Sequence, residues 1–137
     1  MKKNHIIVAE DENHTRHTMR LILKKAGYRV TTVEDGHEAL QKILDNIEAF
    51  EEFDLLITDV QMPELSGVEL IRELAKQNID IPILIITGYG DRKEYADAVG
   101  AMCVGCIEKP FEPKDLLECV DRVLEKHGRL QVIKQAI

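Results

Sequence analysis

Leu55-Leu56-Ile57-Thr58-Asp59-Val60-Gln61-Met62-Pro63 is an apolar run of strand length that ends in a carboxylate, and a turn with Pro63 and Gly67 follows it. Such a run places Asp59 where a buried strand emerges at the edge of a sheet. Three other segments repeat the design. Ile6-Ile7-Val8-Ala9 ends in Glu10-Asp11, Ile83-Leu84-Ile85-Ile86 ends in Thr87-Gly88, and Cys106-Ile107-Glu108 ends in Lys109-Pro110. In a parallel sheet these ends share one edge, so acids, a hydroxyl and an amine are expected in one crevice.

Between these runs lie helical patterns. Asn13 is the expected cap of a first helix whose stripe is Met19, Ile22, Leu23 and Ala26, stopped at Gly27. Tyr28 to Val33 is rich in β-branched residues and reads as the second strand. Leu40, Ile43, Leu44 and Ile47 mark a second helix, expected to run on toward Phe50 and to leave the acids from Glu48 to Asp54 on a solvated end. The third helix is striped by Val68, Ile71, Leu74 and Ala75, the fourth by Tyr95, Val99 and Met102, and the fifth by Leu116, Val120 and Val123, with Pro113 in its first turn. Five strands alternating with five helices imply an α/β fold, a doubly wound parallel sheet with helices on both faces and right-handed crossovers. The order expected is the flavodoxin-like 2-1-3-4-5.

At 137 residues the chain is long enough for one domain with a substantial core. Its net charge of −7 argues against direct nucleic-acid binding by this domain. No apolar stretch reaches the ~20 residues of a membrane span, and the N-terminus lacks a signal-peptide profile. The odd number of cysteines, 3, does not suggest a disulfide framework and fits a reducing cytoplasm. Residues 1–127 are read as the domain, and 128–137 as a tail that continues the last helix, packs on a partner or begins a linker. No output domain is present in the sequence.

In the 2-1-3-4-5 order, strands 1 and 3 are neighbours, which brings Glu10, Asp11 and Asp59 together. Two carboxylates about 4 Å apart repel by roughly 1 kcal/mol in bulk water and about 4 kcal/mol at an effective dielectric of 20. Three of them call for a cation. An all-oxygen donor set, completed by the Gln61 carbonyl, suits Mg²⁺ or Mn²⁺. A carboxylate can attack phosphorus without a general base and form an acyl phosphate. The transferring group carries negative charge that needs donors and cations around it, here Lys109, the metal and the Thr87 hydroxyl.

The set Glu10-Asp11, Asp59 with Met62-Pro63 and Gly67, Thr87-Gly88, and Lys109-Pro110-Phe111 resembles the receiver domain of two-component response regulators, over roughly residues 5–126. The resemblance implies a phosphorylation-dependent switch rather than a conventional enzyme, one that catalyses only its own phosphotransfer and dephosphorylation. Asp59 would be the phosphoacceptor. Asp11, Asp59 and the Gln61 carbonyl would bind Mg²⁺, with Glu10 acting through water. Thr87 would sense the phosphoryl group, Lys109 would pair with it, and the Lys109-Pro110 bond would be cis. The donor implied is a sensor histidine kinase or a histidine phosphotransfer protein. The output implied is a change in the face made by the fourth helix, fifth strand and fifth helix, read by an output domain, a target protein or a second copy in a homodimer.

The sequence departs from the family at Cys106, where a Tyr or Phe ring usually turns inward as the threonine moves. Thr87 and Cys106 therefore stand as the switch positions without a ring, and the loop from Thr87 to Asp91 is expected to carry most of the change, with Tyr89 or Tyr95 moving instead. Met102 and Cys103 replace the more usual Gly-Ala. Asp45 to Phe53 is longer than usual and is expected to extend the second helix. Cys103-Val104-Gly105-Cys106 matches a C-x-x-C pattern, but positions i and i+3 of a strand face opposite ways, so packing is the reading. His14 and His17 are a helical turn apart with no third ligand nearby, which reads as a solvated face. A haloacid-dehalogenase-type phosphohydrolase would need a second aspartate at the position of Gln61. A degenerate receiver would lack one of the acids or the lysine, and none is missing.

Overall fold

The computed structural model describes residues 4–88 and 103–136, with the side chains of 103–104 and 127–136 outside the description. Its strands are β1 (His5–Ala9), β2 (Arg29–Val33), β3 (Leu55–Asp59), β4 (Ile83–Thr87) and β5 (Cys103–Glu108). The helices described are α1 (Asn13–Lys25), α2 (Gly36–Glu48), α3 (Gly67–Lys76) and a C-terminal helix, Pro113–Ala136. The expected fourth helix, with Tyr95, Val99 and Met102, lies outside the described residues, as does Tyr89.

All the strands are parallel, in the order β2-β1-β3-β4-β5. Because the strands are all parallel, each delivers its C-terminal residue to one edge of the sheet. Side chains alternate between the faces. Ile7, Ala9, Leu56, Ile83 and Ile85 pack under α2 and α3 with Ile43, Leu70 and Leu74. Ile6, Val8, Leu55, Ile57, Leu84 and Ile86 pack under α1 and the C-terminal helix with Met19, Leu23, Leu116 and Val120. Every residue of β3 and β4 is buried, which is why both read as unbroken apolar runs.

Several local expectations are corrected. The cap of α1 is Glu12, with no side-chain cap bond, and Asn13 is the first helical residue. α2 does not extend through the long Asp45–Phe53 segment; it ends at Glu48. The Glu51 amide bonds the Asn46 carbonyl (2.8 Å) and the Phe50 amide the Ile47 carbonyl (3.1 Å), with Phe50 in the left-handed region at φ 56°. This is a Schellman stop with phenylalanine at the position usually given to glycine. Phe50 is 92% exposed, so the periodicity that carried the expectation to residue 50 ends before it. Gly27 and Asn78 close α1 and α3 by the same pattern of bonds. In α3, Leu70 belongs to the core and Ala75 is exposed, because the buried face runs through Leu70, Ile71 and Leu74. The tail follows its helical reading, with the C-terminal helix running to Ala136.

Candidate functional site

Glu10 leaves β1 directly after its last buried residue and is fully buried. Asp59 is the last residue of β3 and 7% exposed. Its backbone is fixed by α3. The Gly67 amide donates to the Val60 carbonyl at 2.9 Å, and a Cβ on Gly67 would lie 1.9 Å from the Asp59 carbonyl oxygen. Only glycine permits that approach, so the glycine behind the turn holds the acid's own backbone in place. Ser66 and Glu69 form a capping box at the start of α3, which anchors the same turn.

Glu10, Asp11 and Asp59 converge, with one carboxylate oxygen of each within 4.8 Å of the others. The Lys109 ammonium lies 2.8 Å from Asp59 Oδ2 and 2.5 Å from Glu10 Oε1. The contact to Glu10 is an ion pair whose angles fall outside hydrogen-bond geometry. Glu10 Oε2 accepts the Glu12 amide at 3.3 Å, and Asp59 Oδ1 accepts the Gln61 amide at 3.3 Å. Burial pushes the Glu10 carboxyl up to about 7; the Asp59 carboxylate raises it too, and Lys109 opposes the rise. Burial pulls the Lys109 pKa down, while the hydrogen bonds and negative charges of Asp59 and Glu10 push it up, so that it is raised on balance. One ammonium thus faces three convergent acids. The donors are all carboxylate oxygens, with neither sulfur nor imidazole among them, so the residues present fit a hard divalent cation such as Mg²⁺.

The structure brings Glu10, Asp11, Asp59 and Lys109 together as expected. Gln61 is tied to the site through its amide. The Thr87 hydroxyl is buried and turned toward β5, 3.5 Å from Cys106 Sγ and 3.4 Å from the Ile107 carbonyl, so the two switch positions touch. The Lys109 amide donates to the Thr87 carbonyl at 2.8 Å, and the Lys109-Pro110 bond is cis. His14 and His17 are exposed, and among the described residues the only grouping of potential metal ligands is the acidic one. A cavity of about 480 Å³ opens beside Lys109 between Glu12, His14, Thr18 and Phe111.

Sequence reasoning missed Arg16. Its guanidinium donates to the Glu10 carbonyl (3.0 Å) and the Asp11 carbonyl (3.4 Å) and pairs with Glu34 at 3.3 Å. The available signal was its place one turn into α1, within reach of the loop that carries both acids.

The description "Response regulator receiver domain" matches residues 6–121. The chain belongs to that family. Among similar receivers, the response regulator receiver protein CpdR of Brucella abortus is 34% identical over 119 residues, which cover 87% of this chain and 95% of CpdR. The transcriptional regulatory protein FixJ of Bradyrhizobium diazoefficiens is 33% identical over 138 residues, covering 98% of this chain and 65% of FixJ. The chain spans only 25% of the Pseudomonas aeruginosa transport regulator DctD and 54% of the Enterococcus faecalis regulatory protein VanRB. Among solved structures, the crystal structure of FixJ-N superposes with a TM-score of 0.79 at 33% identity, covering 91% of this chain and 96% of that one. NtrX from Brucella abortus superposes at 0.88 with 26% identity, over 99% of this receiver and 30% of NtrX. No helix of the described residues is long and apolar enough to cross a membrane.

Proposed function

We propose that Asp59 is the phosphoacceptor of this receiver, taking a phosphoryl group from the phosphohistidine of a sensor kinase or histidine phosphotransfer protein. The observation that carries this reading is the buried Asp59 carboxylate at the end of β3, 2.8 Å from the Lys109 ammonium and beside two further acids. An Asp59 oxygen attacks phosphorus as the P–N bond breaks, and that electron pair returns to the imidazole, which takes a proton. Lys109 pairs with the oxygens of the transferring group, releasing the Asp59 oxygen it now binds. Asp11, Asp59 and the Gln61 carbonyl would hold Mg²⁺, or Mn²⁺ in its place, with Glu10 acting through water. When bound, the metal supplies positive charge against the acids and the phosphoryl oxygens.

For output, Thr87 leaves its contacts on β5 to meet the phosphoryl group, and the surface around Cys106 and the C-terminal helix changes with it. That surface regulates an output domain, a separate target or a second copy. Matches to CpdR over most of its length and to DctD over a quarter of it support either arrangement. Acetyl phosphate is the test. With Mg²⁺ it should give a single hydroxylamine-sensitive label, lost on chelation and absent from Asp59→Asn. Equal labelling of Asp59→Asn would overturn the assignment.

A further inference from the structure

The β1–α1 loop carries two of the three clustered acids, yet it lacks the tether used elsewhere. α2 is capped by the Asp35 side chain and α3 by Ser66, whereas Glu12 makes no side-chain cap bond to α1. The Glu12 carboxylate is instead taken by the Thr15 hydroxyl. What holds the loop is Arg16. From the first turn of α1 its Nη1 reaches back to the carbonyls of Glu10 and Asp11, while Nη2 bonds the Asn13 side chain and Glu34 just beyond β2. The Arg16 side chain is 15% exposed, against 68% for Glu34. The guanidinium is therefore fixed on the loop backbone rather than on a surface ion pair.

We infer that Arg16 is a positioning residue of the acidic site: by clamping the Glu10 and Asp11 carbonyls it sets the direction in which their carboxylates leave the loop. The inference rests on the metal-binding reading above and concerns how that site is held. Charge and position make opposite predictions, which is what gives the inference content. A guanidinium near a cation site repels the cation, so if Arg16 acted by charge alone its removal would tighten metal binding. If it acts by position, removal lets the loop relax and weakens binding, as loss of an outer partner commonly does by about 10–100-fold. Lysine keeps the charge but is a point donor without the planar fork, and cannot hold two carbonyls and Glu34 at once.

The experiment is a calorimetric titration of the full chain with MgCl₂, alongside the melting temperature of the metal-free protein. Wild type should bind, Arg16→Ala should bind about 10–100-fold more weakly, and Arg16→Lys should fall between them. A Glu34→Gln control should stay near wild type. Should Arg16→Ala fail to fold, Arg16→Lys decides: weakened binding supports the inference and wild-type binding overturns it. A folded Arg16→Ala protein that binds Mg²⁺ as tightly as wild type, or more tightly, overturns it as well; a lowered metal-free melting temperature beside it would mark Arg16 as structural only. Failure of wild type itself to bind Mg²⁺ would overturn the metal site and this inference together, and so is told apart from the failure of Arg16 alone.

Discussion

At the C-terminal ends of β1 and β3, Glu10 and Asp59 lie buried with the ammonium of Lys109 between them and Asp11 alongside. At the N-terminal ends of the same two strands, His5 and Asp54 are bonded to their immediate neighbours. The His5 amide donates to Asp54 Oδ2 at 2.7 Å, the Asp54 amide donates to the His5 carbonyl at 2.8 Å, and the His5 ring sits 2.8 Å from the Thr31 hydroxyl and 4.5 Å from the Phe53 ring. One edge satisfies its polar groups locally. The other gathers more negative charge than its lysine neutralises and holds it in place with glycine, caps and a guanidinium. A fold seeking stability alone would build both edges like the first. The excess at the second suits a divalent cation, whose charge would offset the clustered acids.

The largest effect that would break this contrast is at Asp59. Its replacement by asparagine should abolish acetyl-phosphate labelling while leaving the N-terminal edge and the fold intact by circular dichroism. Next comes Gly67→Ala, where the added Cβ would meet the Asp59 carbonyl. Overpacking of this kind costs about 1–3 kcal/mol or more, and chemical denaturation should show that loss together with slower labelling. Lys109→Ala should slow phosphoryl transfer by roughly 10²-fold, as expected for loss of one charge-stabilising donor, with the protein still folded. Transfer at the wild-type rate would remove Lys109 from the site.

Mg²⁺ sharpens the comparison from the other direction. Binding to the folded state alone at about 100 times Kd stabilises by about 2.7 kcal/mol, so a melting curve should move upward by several degrees, and Asp11→Ala should lose most of that gain. The N-terminal edge should show no response to metal. It responds to pH instead, and least of all. Burial, with the Arg29 charge, holds His5 below its ordinary 6.5, while Asp54 and Glu51 oppose the shift. The unfolded chain then binds the extra proton first, so this contribution is complete above pH 6.5 and is lost as pH falls below it toward the folded value. His5→Gln should flatten that acid-side slope without altering Mg²⁺ binding.

Much of the site was legible because its design is written along the strands. An apolar run that stops at a charged residue marks both the strand and its exit, and parallel order then gathers the exits. The legible features were therefore Glu10, Asp11, Asp59, Thr87 and Lys109, each read from its position at a strand end. What escaped was set by bonds that run across the sequence. Arg16 acts through carbonyls, which carry no residue identity. Glu12 rather than Asn13 stands at the cap, and the Asn13 side chain accepts from Arg16 instead. Phe50 takes a left-handed conformation that its side chain gives no reason to expect. Thr87 and Cys106 were read as switch positions, but the contact between their hydroxyl and thiol depends on the packing of two neighbouring strands and was not anticipated.

Beryllofluoride with Mg²⁺ tests the account most directly, because it mimics a phosphoryl group only where a carboxylate, a cation and a lysine converge. Fluorine resonance should show a bound species with the wild-type chain that needs Mg²⁺, disappears in Asp59→Asn and weakens in Lys109→Ala. A bound species that persists in Asp59→Asn, or none in wild type at saturating Mg²⁺, would contradict Asp59 as the phosphoacceptor.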